Sequence, residues 1–247
     1  MSNNEYMRHA VHLPLALMVV VFSLSLNGGA NKEAQAEQSQ EEIRSADGTL
    51  MVFVPEGEFL YGINNERLPM PAFYIDKYEV TTRLYAAYLQ QSHAVEPEEW
   101  PKQVSLIGSG DRPVVQVSWH EADAYCRYYG KALPTEQQWE KAARGTDGRL
   151  YPWGNETPTD AHALFDARWW GYGTLAAVDM YPLGKSPYGA YNMAGNVWEW
   201  TSSDFDSRSK VLRGGSWGHM RSGLQTTHRF SRSPSYRNYF IGFRCVK

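Results

Sequence analysis

The stretch that decides the fold runs from Leu212 to Lys247, opening with Arg213-Gly214-Gly215-Ser216-Trp217 and closing with Gly242-Phe243-Arg244-Cys245. Between these ends lie Trp217, His219, Arg221, His228, Arg229, Phe230, Arg232, Tyr236, Arg237 and Tyr239. Aromatic faces and guanidinium donors of this kind are enriched where proteins grip ligands. No cysteine occurs between Cys126 and Cys245.

Working outward, the chain has 247 residues and a net charge of -3, with no long Lys/Arg run, which argues against a nucleic-acid partner. Its 16 Tyr, 9 Trp and 9 Phe, set among 21 Gly and 13 Pro, suit a loop-rich domain and not a helical bundle. At the other end, Arg8 and His9 precede the apolar run Ala10 to Leu26, and Ala34-Gln35-Ala36 fits a signal-peptidase site. Residues 1–36 therefore read as a signal peptide or an N-terminal anchor, 37–47 as a polar linker and 48–247 as the domain. Export to a periplasm or beyond is expected, with residues 10–26 as the only route to a membrane. The two cysteines then meet an oxidising compartment, either joined as Cys126–Cys245 or buried as free thiols.

Within the domain, Met51–Val54, Glu58–Tyr61 and Phe73–Asp76 read as strands, the first two separated by a Pro55-Glu56-Gly57 turn. A helix follows Thr81 on the spacing of Leu84, Tyr85, Tyr88 and Leu89. Ser118-Trp119-His120-Glu121 and Thr135-Glu136-Gln137-Gln138 are capping boxes, predicting helices that end near Tyr129 and at Gly145. Brief strands are expected near Ala190–Trp200 and Val211–Ser216.

Six ordered segments resemble the formylglycine-generating enzyme (sulfatase-modifying factor) family. They are Ile75-Asp76-Lys77-Tyr78-Glu79-Val80-Thr81, Pro113–Trp119, Gly130–Glu136 with Trp139-Glu140, Tyr151–Asn155, Tyr191–Trp200 and the tail. Ala132 departs from the arginine many members carry. The resemblance implies an α+β, irregular, loop-rich fold related to the C-type lectin type. It also implies the Cys126–Cys245 bridge, since cysteines at matching places are paired in the best-known members. Calcium is implied at Gly195, Asn196, Val197 and Glu199, while a second calcium position is compromised because Leu164 stands where an Asn ligand is expected.

The family's oxidases bind copper through two cysteines shortly after the Gly-Gly-Ser segment. Those positions fall near His219 and Leu224 here, so no copper is expected at a cysteine pair and formylglycine formation is unexpected. His219, Met220 and His228 are the available substitute ligands, set against a plainer reading as groove-lining residues. The leading expectation is an exported binding or accessory/maturation protein that holds an exported protein, peptide or sugar on Trp217, His219, Arg221, His228, Tyr236 and Tyr239. One alternative is an oxidoreductase of non-formylglycine type, for example one maturing a peptide-derived substrate. A second is a lectin-fold ligand binder with a variable C-terminal surface.

Overall fold

The computed structural model describes residues 42–98, 100, 110–168 and 174–247. The export segment read at 1–36 lies outside the described residues. Among these residues no helix is long and apolar enough to cross a membrane.

Five strands come first: β1 (Glu42–Arg44), β2 (Leu50–Val54), β3 (Gly57–Tyr61), β4 (Glu66–Met70) and β5 (Phe73–Asp76). β1, β2 and β5 form one antiparallel sheet with β2 central, and β3–β4 is a separate hairpin. β1 corrects the sequence reading, because the stretch taken as linker supplies an edge strand with Glu42 opposite Val52. Its polar side chains concealed it: Glu42 accepts from Lys77 Nζ at 2.5 Å. Asp47, also read as linker, binds the buried Lys131, whose amino group lies 3.0 Å from Asp76 Oδ1.

Three α-helices with described bounds follow, and local capping chemistry sets where they begin. In α1 (Thr82–Ser92) the Thr81 hydroxyl accepts from Leu84 N. α2 (Trp119–Tyr128) and α3 (Glu136–Arg144) start on the capping boxes at Ser118/Glu121 and Thr135/Gln138, each satisfying backbone donors that a helix start leaves bare. The C-terminal sheet is β6 (Trp198–Asp206), β7 (Ser209–Arg213), β8 (Arg229–Arg232) and β9 (Ile241–Gly242). Its order is β8-β7-β6-β9, with β9 parallel to β6. β6 starts later than the sequence suggested, since Asn192 and Asn196 sit at φ 52° and 59°, where an extended strand cannot continue.

The core has two main parts. Tyr85 and Tyr88 of α1 and Ala122, Tyr125 and Cys126 of α2 pack against Trp198, Trp200, Leu212 and Phe243. Val52, Val54, Ile75 and Val246 pack with Trp139 of α3 and Met193. Residues 241–247 close the structure. Cys245 is bonded to Cys126 with a Cα separation of 5.8 Å. Val246 exchanges backbone hydrogen bonds with Ala132, and Lys247 with Tyr74.

Candidate functional site

The Gly-Gly pair shapes the site's entry. Gly214 and Gly215 adopt φ 100° and 77°, and a Cβ on Gly215 would lie 2.6 Å from the Gly223 carbonyl oxygen. A side chain at Gly215 would clash with that carbonyl, so the turn that follows β7 requires glycine there.

Trp198, fully buried on β6, is the anchor of the C-terminal face. Phe230 of β8 stacks on it at 5.2 Å, while the imidazoles of His219 and His228 lie 5.2 and 5.7 Å from its indole. The indole N–H points at the His219 ring, 3.3 Å from Nδ1. Nδ1 also lies 2.8 Å from Ser216 Oγ. Burial pushes both imidazoles below the ordinary histidine range; His228 and Arg232 add to the effect on His219, and Arg213 adds to it on His228. Both rings are consequently neutral at neutral pH.

The other expected site residues have contacts of their own. Trp217 donates through Nε1 to the Tyr239 carbonyl at 3.3 Å, and both rings pack on Val115, Leu175 and Val197. The Tyr236 hydroxyl accepts from Asn238 Nδ2 at 2.9 Å. Arg221 is exposed, its guanidinium 6.0 Å from the Phe165 ring. Beside His228 a cleft of about 400 Å³ opens between the tail and the β3–β4 hairpin, lined by Tyr61, Asn64, Glu66, Gln225 and Thr227 with Glu140 at its floor. Sequence reasoning missed this wall, because nothing local links the hairpin to a segment over 150 residues away.

His219 and Leu224, near which the resemblance sets the family's copper cysteines, are half-buried and fully buried respectively. Both cysteines of the chain are taken up by the disulfide. The residues present therefore do not fit a thiolate-held copper. Among the described residues no three His, Cys, Asp or Glu side chains are grouped to hold a metal.

The segment expected to bind calcium is arranged for another cation. Glu199 accepts from Arg244 through both carboxylate oxygens, each bond 2.7 Å long, and Oε2 also accepts from Trp139 Nε1 at 2.7 Å. Asn196 Nδ2 donates to Glu79 at 2.9 Å and its Oδ1 accepts from Ala176 N at 3.1 Å. Gly195 and Val197 flank these side chains in the buried interior. Calcium requires six or more oxygens free to turn toward it, and here a guanidinium occupies the central carboxylate. The donor set does not fit calcium in this arrangement. Glu79, which the sequence did not single out, completes the cluster: it is fully buried, and burial followed by repulsion from Glu199 pushes its carboxyl up to about 8.

The loop-rich α+β architecture, with few helices and small curled sheets, is the lectin-related fold of formylglycine-generating enzymes. The chain belongs to the sulfatase-modifying factor enzyme 1-like domain family, which it matches over residues 35–247. It is 38% identical over 173 residues to inactive C-alpha-formylglycine-generating enzyme 2 of Bos taurus, covering 62% of this chain and 57% of that protein. Over 160 residues it is 40% identical to hercynine oxygenase of Mycobacterium tuberculosis, covering 54% of this chain and 36% of that protein. The chain spans about half the length of the first curated relatives it matches. The solved structure of PvdO from Pseudomonas aeruginosa shares the fold, with a TM-score of 0.67 at 20% identity, covering 84% of this chain and 97% of that one.

Proposed function

We propose that this chain is an exported binding or accessory protein that holds a segment of another exported protein on its C-terminal face. One observation carries the reading: the two cysteines of the chain are joined in a disulfide, which leaves no thiol pair to hold copper on the C-terminal face. The similarity to a protein named as an inactive formylglycine-generating enzyme supports it. The test is metal analysis of the purified protein together with oxygen-uptake measurement. The reading expects no stoichiometric copper or iron and no oxygen consumption with cysteine peptides. Stoichiometric copper or iron that disappears in His219→Ala or His228→Ala, accompanied by oxygen uptake, would overturn it.

A second reading, an oxidoreductase of non-formylglycine type, is favoured by the two neutral imidazoles on Trp198, the protonation state that ligates transition metals. The similarity to a protein named hercynine oxygenase supports that reading as well. The same measurement separates the two.

A further inference from the structure

The tail from Leu212 to Lys247 carries Arg213, Arg221, Arg229, Arg232, Arg237, Arg244 and Lys247 and contains no Asp or Glu. Four of these arginines are neutralised by glutamates from elsewhere in the chain: Arg213 by Glu140, Arg229 by Glu136, Arg237 by Glu121 and Arg244 by Glu199. Arg221 and Arg232 have no carboxylate within ion-pair distance among the described residues.

Arg232 is nevertheless the more firmly placed of the two. Its guanidinium lies 4.0 Å from the centre of the Phe230 ring and 5.3 Å from that of Tyr236. Phe230 in turn stacks on the buried Trp198. Its one hydrogen bond is from Nη1 to the Ser231 carbonyl, 2.9 Å long, which leaves most of its five donors free. The strand register also sets it directly opposite Lys210 on β7. Like charges so placed destabilise a sheet; Lys210 is ion-paired with Asp204 at 2.6 Å, whereas Arg232 has no carboxylate of its own among the described residues. A stacked, planar, half-buried guanidinium with free donors is already ordered for a bidentate oxyanion.

One observation favours a peptide as the source of that anion. β8 is the outer strand of its sheet, and its far edge is paired with no other strand among the described residues. An extended segment can add to such an edge through its backbone while one side chain reaches a pocket. We infer that the partner segment is an acidic peptide that extends along β8 and places an Asp or Glu carboxylate on Arg232. This rests on the binding reading of the same face proposed above.

The test uses the full chain and fluorescence anisotropy with a fluorescein-labelled peptide of alternating Glu and Val. A Lys/Val peptide and chondroitin sulfate serve as comparators. The expected result is saturable binding of the Glu/Val peptide alone, weakened about tenfold or more by Arg232→Gln and unaffected by Arg67→Gln, an exposed arginine already paired with Glu58. Arg232→Lys keeps the charge without the planar fork and is expected to weaken binding too. It carries the test if Arg232→Gln lowers the melting temperature. No binding of the Glu/Val peptide, equal weakening by Arg67→Gln, or Arg232-dependent binding of chondroitin sulfate alone would overturn the inference. Oxygen uptake would count against the binding reading while leaving the dependence on Arg232 to be read separately.

Discussion

Replacing both cysteines by alanine tests how much of the fold rests on the Cys126–Cys245 bond. Alanine is the right replacement because both side chains are fully buried and a serine hydroxyl would lack a partner. The bond spans 119 residues of sequence. Closing a loop of that length removes about 16 cal/mol/K of chain entropy from the unfolded state, equivalent to about 5 kcal/mol at 25 °C. For a domain of this size that corresponds to a fall in melting temperature of about 10–20 °C. Calorimetry measures the fall directly. Urea unfolding adds a second signature, because an uncrosslinked chain exposes more surface and should show a larger m-value. The native backbone pairing of Cys245 with Asp76 needs no thiol, so the double variant should still fold. A melting temperature within about 3 °C of the parent, with an unchanged m-value, would refute the reasoning.

Arg244→Met should cost about 3–5 kcal/mol in urea unfolding, because Glu199 is left as a buried charge without its cation. Added calcium should leave the melting temperature of the parent unchanged, since the carboxylate it would need is held by Arg244; a rise of several degrees would show that Arg244 gives way. For Glu79 the folded carboxyl is raised from 4.5 to about 8. Between those values the folded state holds the extra proton, so stability declines as pH rises, with a slope approaching about 1.4 kcal/mol per pH unit, and levels off above about 8. Urea titrations from pH 5 to 9 should show this slope in the parent and its loss in Glu79→Gln.

The parts of this fold that were legible in the sequence are those with local causes. Ser118 and Glu121, or Thr135 and Gln138, lie three residues apart and cap their own helix, so their meaning is carried by adjacent letters. The strands at Met51–Val54 and Phe73–Asp76 were readable for the same reason. β8 was not, because Arg229-Phe230-Ser231-Arg232 has neither an apolar run nor a full alternation; its place depends on Leu212 opposite Phe230. At the site, the residues of the C-terminal face could be named but not their relations. Arg237 and Glu121 are 116 residues apart and Arg229 and Glu136 are 93 apart, so which arginines were neutralised and which left free was decided only by the folded chain. The calcium expectation met the same difficulty: the segment is present, but its cation comes from Arg244, 45 residues further on.

The closure of the structure by residues 241–247 also bears on the order of events during synthesis. β9 completes the sheet behind Trp198, Val246 bridges Ala132, and Lys247 pairs with Tyr74 near the start of the domain. Translation delivers these residues after all the others they contact. A ribosome still making residue 240 therefore holds a chain whose early strand β5 has one unpaired edge and whose Cys126 has no partner. Completion of this domain must wait until residues 241–247 have been made, and the aromatic C-terminal face becomes complete in the same step that closes the molecule.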